Sequence, residues 1–184
     1  MEQGVVLETE RLFLRKFTLQ DVEALIPVLG DPVAMEFYPA ALDRQGIEDW
    51  IGRNLQRYQR DGHGQWAMVL RDSVELIGDC GCTMQEVEGK NEIEVGYHTR
   101  RDLWGNGYAT EAARACTGFA FAELGANRVI SMIRPENQRS RRVAEKNGMS
   151  CQKIGFWRGY DHCIYATDVE TWHCQVSNMN YGQT

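Results

Sequence analysis

Residues Asn91 to Leu124, NEIEVGYHTRRDLWGNGYATEAARACTGFAFAEL, decide how the rest of this chain is read. Glu92 to Thr99 reads as a strand, Leu103 to Tyr108 as a tight turn carrying Gly105 and Gly107, and a long helix begins near Ala109. A strand that passes through such a turn into a helix leaves the first helical N–H groups without intrahelical acceptors, with the positive end of the helix dipole behind them. That is a site for a phosphate or pyrophosphate. The two glycines permit positive φ and let the backbone approach a ligand without a Cβ in the way. Two better-known phosphate motifs are not met. Gly89-Lys90 is followed by Asn91 rather than Ser or Thr, so there is no P-loop. Gly105-Asn106-Gly107 is followed by Thr110 where a dinucleotide fingerprint needs its third glycine, and Glu123 falls inside the helix.

At 184 residues the chain reads as one domain over 1–184, large enough to bury a core. No apolar run approaches the ~18 residues of a membrane span, and the acidic start MEQGVVLETER is unlike a signal peptide. A cytoplasmic protein with no membrane partner is expected. The net charge of -6 disfavours a nucleic-acid binder and favours a cationic partner such as an amine. Six cysteines, at 80, 82, 116, 151, 163 and 174, lack zinc-site spacing, so reduced thiols that pack as small apolar residues are expected, with no metal.

Taken in order, Arg11 to Phe17 alternates as a strand, and Thr18-Leu-Gln-Asp21 resembles a capping box ahead of a helix with Val22, Leu25, Ile26 and Leu29 on one stripe. A second helix carries Ile47, Trp50, Ile51, Leu55 and Tyr58. Trp66 to Leu70 and Leu76 to Met84 form an antiparallel meander with Glu92 to Thr99. Arg128 to Ile133 is a buried strand, Asn137 to Asn147 a helix closed by Gly148, and Gln152 to Trp157 with Cys163 to Thr167 a last strand pair. From His173 to Thr184 the chain is polar and aperiodic and is expected to fray.

Two blocks of this pattern resemble the GNAT superfamily of N-acetyltransferases, over about Leu7 to Trp172. EIEVGYHTRRDLWGNGYATEA is similar to the family's acetyl-CoA pyrophosphate loop, in the form found in the branch that includes ribosomal-protein N-terminal acetyltransferases. Asn137-Gln-Arg-Ser140 followed by Lys146-Asn-Gly148-Met149 is similar to the helix beside the pantetheine arm. The resemblance implies an α/β fold: a mixed, mostly antiparallel sheet of about seven strands flanked by about four helices, with a splayed strand pair at the cofactor cleft. It implies an acetyl-CoA-dependent enzyme acting on an amine, a protein N-terminus or a small molecule. The alternative is a non-catalytic acyl-CoA-binding module of the same fold. Relatives often dimerise, which leaves a homodimer open.

For cofactor contact the resemblance points to Val95, Gly96, Leu103, Trp104, Gly105, Asn106, Gly107, Tyr108, Ala109, Thr110, Asn137, Ser140 and Arg142. Arg100, Arg101, Arg139, Arg141 and Arg142 form a basic cluster suited to phosphates, though a solvated helix face accounts for some of them. Asp31 to Asp43, Trp50 and the region of Tyr160 flank the acceptor end in relatives. Acetyl transfer needs a neutral amine, a polarised thioester carbonyl and a proton for the departing sulfur. Glu92, Glu94, Gly96 and His98 share one strand face, while Ile93, Val95 and Tyr97 share the apolar one. Glu94 is therefore a candidate general base, or equally an ion-paired strand carboxylate; His98 is read as structural. Many relatives carry a Tyr acid where this chain has Ala144, so Ser140 is the candidate donor to the sulfur, with Tyr165 and Tyr160 as fallbacks. Asp102 replaces the Arg or Gln frequent at its place in relatives, a position that contributes mainly backbone in this branch.

Overall fold

The first strands are short because the chain reverses direction within eleven residues: β1 (Val5–Glu8) pairs with β2 (Leu12–Arg15) antiparallel across a bulge. The computed structural model describes residues 4–181. It continues with helices α1 (Val22–Leu29) and α2 (Arg44–Arg60), then the meander β3 (Gln65–Leu70), β4 (Leu76–Val87) and β5 (Lys90–Thr99). Helix α3 (Tyr108–Ala122), β6 (Arg128–Ile133), α4 (Gln138–Lys146), β7 (Ser150–Trp157), β8 (Tyr160–Asp168) and α5 (Val169–Tyr181) complete it. The eight strands form one sheet in the order β1-β2-β3-β4-β5-β6-β8-β7.

Every strand pair is antiparallel except β5 with β6. That parallel pair touches only at Ile93 opposite Val129 and Glu94 opposite Ile130. Against β4, by contrast, β5 pairs without interruption from Gly78 opposite Thr99 to Val87 opposite Lys90. Past Glu94, β5 keeps its partner on one side and loses it on the other. Its unpaired edge is the expected splay, and it opens a V in the middle of the sheet.

Two apolar layers hold the sheet. Helices α1 and α2 cover one face through Leu25, Val28, Leu29, Ile47 and Ile51, all fully buried with Ala67 and Val69. On the other face α3 lays Ala112, Ala113, Cys116 and Ala120 against Cys80, Cys82 and Val95. Small side chains let this helix sit close to the strands, so α3 rigidly fixes the turn before it. All six cysteines are free thiols, and Cys80, Cys82, Cys116 and Cys163 are buried as small core residues. The capping box ahead of α1 forms as read: Thr18 N–H donates to Asp21 Oδ2 at 2.7 Å, and Arg15 grips the same carboxylate with both terminal nitrogens.

The structure adds one strand and one helix to the expected mixed, mostly antiparallel fold. The sheet has eight strands rather than about seven, because Val5–Glu8 is too short to show alternation and is held by its pairing to β2. There are five helices rather than about four: the segment read as fraying from His173 is helical as far as Tyr181. Asp168 starts that helix by accepting from the N–H and hydroxyl of Thr171 at 2.7 and 3.0 Å. Trp172 then packs on Phe121, ring centroids 5.6 Å apart. The residues 182–184 of the expected tail lie outside the described residues. Among the described residues no helix is long and apolar enough to cross a membrane.

Candidate active site

The turn between β5 and α3 is built from backbone conformations that glycine supplies. Gly105 and Gly107 sit at φ +86° and +85°, and Gly107 is the residue from which α3 starts, with no side chain capping the helix. The first bond of α3 runs from Glu111 N–H to Gly107 O at 3.0 Å. The N–H groups of Tyr108, Ala109 and Thr110 are therefore the helix's unpaired leading donors. A Cβ on Gly105 would meet no protein atom within 4 Å, so open space lies over the turn there.

Side chains from far along the chain brace it. Glu111, in the first turn of α3, accepts from the Thr9 hydroxyl at 2.6 Å, from Arg11 N–H at 2.8 Å and from Arg11 Nε at 2.6 Å. Arg11 also donates to Asn106 O at 3.0 Å and stacks over Tyr108. Trp104 Nε1 donates to Thr99 O at 2.8 Å, while the Arg139 guanidinium lies 4.3 Å over its ring. The turn is thus held from β1–β2, β5 and α4 at once.

Two chambers, each about 280 Å³, meet at the V. The first is lined by Leu103, Trp104, Gly105, Gly107, Tyr108, Ala109 and Thr110 of the turn, and by Asn137, Arg139, Ser140, Arg142 and Lys146 around α4. The second is lined by Glu94, Val95 and Gly96 of β5, by Ser131 to Arg134 on β6 and just after it, and by Phe37, Tyr38, Trp50, Trp157 and Tyr160. Phe37, Tyr38, Tyr97, His98, Asn137 and Ser140 line both and mark the passage between them. Asn137 Oδ1 caps α4 by accepting from Ser140 N–H at 3.1 Å, which leaves its amide nitrogen for another partner. Tyr97 OH donates to Ser140 O at 2.8 Å and ties the strand to that helix.

The Glu94 carboxylate accepts from Met132 N–H at 3.3 Å across the splayed strands. Burial raises its pKa above the ordinary carboxylate range. The Met132 and Gln85 hydrogen bonds and the positive charges of Arg158 and Arg57 offset that only in part. A carboxylate so placed holds a proton more readily than an exposed one, which suits a general base. His98 Nδ1 lies 2.7 Å from Asp79 Oδ1, and Trp50 Nε1 donates to Asp79 Oδ2 at 3.2 Å. Burial opposes protonation of His98, but the Asp79 charge and hydrogen bond outweigh it and raise its pKa. The pair anchors the passage wall, with the Tyr38 ring 5.0 Å from the imidazole.

A family model described as an acetyltransferase (GNAT) domain matches residues 11–150. The chain belongs to the GNAT acetyltransferase family. It is 31% identical over 158 residues to the protein named uncharacterized N-acetyltransferase p20 of Bacillus licheniformis, covering 84% of this chain and 86% of that one. A GNAT-family acetyltransferase structure from Bacillus anthracis superposes with a TM-score of 0.76 at 26% identity, covering 89% of this chain and 98% of that one. The ribosomal-protein-S5-alanine acetyltransferase of Vibrio fischeri shares the fold, with a TM-score of 0.71 at 15% identity over 92% and 99% of the two chains.

Within this GNAT domain the structure gathers most of the residues singled out in the sequence, with three corrections. Asn106 lines neither chamber: its side chain donates to Leu103 O at 3.0 Å and its carbonyl serves Arg11, so it shapes the turn from outside. The basic cluster divides. Arg139 and Arg142 line the first chamber, but Arg100 is bound by Asp102 and Glu75, Arg101 by Asp31, and Arg141 by Tyr165 OH and Pro135 O. Tyr165 is not a reserve acid. It is buried, in neither chamber, with its hydroxyl between Arg141 and Glu145. Ala144 is core, only 1% exposed. Tyr97, assigned to the apolar face by its period of two, reaches the passage because the missing neighbour strand uncovers that side. Arg57, Gln65, Arg134 and Arg158 carried no local signal; they converge only once the strand order is known.

Proposed function

We propose that the protein transfers an acetyl group from acetyl-CoA to a primary amine, which attacks directly while both substrates are bound. One observation carries the reading: an anion cradle opens into one chamber, a half-buried carboxylate stands in the next, and the two meet where β5 and β6 part. The residues suit the coenzyme on their own chemistry. Three leading amides of α3, the open space over Gly105, and the cations Arg142 and Lys146 form a site for a pyrophosphate and a further phosphate.

Acetyl-CoA would supply the acetyl group activated as a thioester. Glu94 takes a proton from the incoming ammonium, directly or through a water, so that a neutral nitrogen attacks. A backbone N–H of Val95 or Gly96, on the free edge of β5, polarises the carbonyl. Asn137 caps α4 with its oxygen and offers its amide nitrogen to the pantetheine. As the C–N bond forms and the C–S bond breaks, the first proton of the ammonium rests on Glu94; the second leaves the nitrogen for the hydroxyl of Ser140 as that hydroxyl gives its own proton to the departing sulfur, so Ser140 ends neutral and the products are the amide and the CoA thiol.

The burial of Ala144 keeps a second reading in view, a CoA-binding module without turnover. The two separate in a thiol-release assay over small amines and N-terminal peptides. The transferase reading expects free CoA thiol and acetylated amine in equal amounts. A rise in Tm with CoA, with no turnover across the panel, would instead support the module.

A further inference from the structure

The second chamber runs against the charge of the chain. The protein carries a net -6, yet Arg57, Arg134 and Arg158 line this chamber against a single carboxylate, Glu94. Among the described residues neither Arg57 nor Arg158 has a carboxylate at ion-pair distance; Arg57 donates to the neutral Asn54 amide, and Arg158 stacks on Trp157 at 4.2 Å. Arg134 stacks on Tyr160 at 4.2 Å, and its Nε, a buried donor with no hydrogen-bond acceptor, faces the Glu136 carboxylate at 3.7 Å. Gln65, whose N–H donates to the same Asn54 oxygen as Arg57, is only 5% exposed, and its Oε1 is a buried acceptor with no donor. One chamber thus holds a guanidinium donor without a hydrogen-bond acceptor and an amide acceptor without a donor, among three cations and one carboxylate. Buried polar atoms are rarely left so, and each asks for a ligand group of the opposite kind.

We infer that the acceptor is a free α-amino acid with an apolar side chain, its ammonium held by Glu94 and Gln65 and its carboxylate by the guanidiniums of Arg57, Arg134 and Arg158. The inference deepens the transferase reading and rests on it. Guanidinium is suited to planar carboxylate recognition. A polyamine or aminoglycoside would bring further positive charge against three arginines. The chamber, at about 280 Å³, lies at the small end of ligand sites and suits a small acceptor better than a peptide. The rings of Phe37 and Trp50 provide apolar wall for the side chain. The whole-chain charge favours a cationic partner such as an amine; the inferred zwitterion keeps that amine and adds a carboxylate to it.

The test uses three matched acceptors with acetyl-CoA: L-phenylalanine, L-phenylalaninamide and phenethylamine, read by thiol release. The acid is expected to exceed both others at least tenfold in kcat/KM, and Arg158→Gln to remove most of that preference by raising the KM of the acid alone. Equal or better turnover of the amide or amine would overturn the inference while leaving the transferase standing. So would turnover of N-terminal peptides alone. If nothing turns over, calorimetry on the CoA complex still decides: N-acetyl-L-phenylalanine is expected to bind at least tenfold more tightly than N-acetylphenethylamine, and equal or absent binding overturns the inference.

Discussion

Gly105→Asp is expected to weaken acetyl-CoA binding about a thousandfold while leaving the fold intact. The residue sits at φ +86°, a conformation that aspartate adopts more readily than most side chains. Its Cβ would enter open space, so the cost within the protein is the backbone strain of a side chain at positive φ. What changes is the ligand side: a carboxylate now stands where the pyrophosphate belongs. Two like charges about 4 Å apart at the effective dielectric of a protein surface repel by roughly 4 kcal/mol, which is about three powers of ten in Kd. Gly105→Asn, with the same shape and no charge, is the control and is expected to lose far less. Calorimetric titration measures the affinities, and urea unfolding of both variants shows that the fold is kept.

Glu94→Gln carries the second large effect, a fall in kcat of about a hundredfold to ten-thousandfold, the range for loss of a general base. Glutamine keeps an oxygen for Met132 N–H, so the splayed strands stay joined at that point and the KM for acetyl-CoA is expected to hold. The pH profile separates chemistry from structure. A general base works ionised, and burial raises the Glu94 pKa above the ordinary carboxylate range. Activity of the wild type therefore falls as pH drops through that raised value, and the variant's residual activity lacks this acid limb. Stability moves the other way. A carboxylate whose pKa is raised by folding lowers stability once pH exceeds the raised value, and this effect disappears below the ordinary carboxylate value. At neutral pH the inactive variant is thus expected to be slightly more stable than the wild type.

The sequence made the glycine turn ahead of α3 legible because its chemistry is local. Gly105, Gly107 and the start of α3 lie within four residues, and φ, donor and dipole arguments need nothing beyond them. The same holds for Asn137 and Ser140, where cap and site coincide. It failed where a side chain's meaning depends on which strand lies beside it. Tyr97 belongs by alternation to a packed face, yet β5 has no partner there past Glu94. Arg57 on α2, Arg134 after β6 and Arg158 in the β7–β8 turn share a chamber only because the sheet places β8 between β6 and β7. Arg100, Arg101 and Arg141 failed in the opposite sense: a run of cations says nothing about which acceptors fold back onto it. The helix from Val169 to Tyr181 was missed because its amphipathic pattern is weak, and its start rests on the Asp168 cap and on Trp172 finding Phe121.

The account stands on the leading amides of α3 being the coenzyme's phosphate site. Amide hydrogen exchange with and without CoA tests this most directly. Slowed exchange at Tyr108, Ala109 and Thr110 on adding CoA is the predicted result, with Gly105→Asp abolishing it. Unchanged exchange at those three amides, under conditions where CoA binds, would contradict the account.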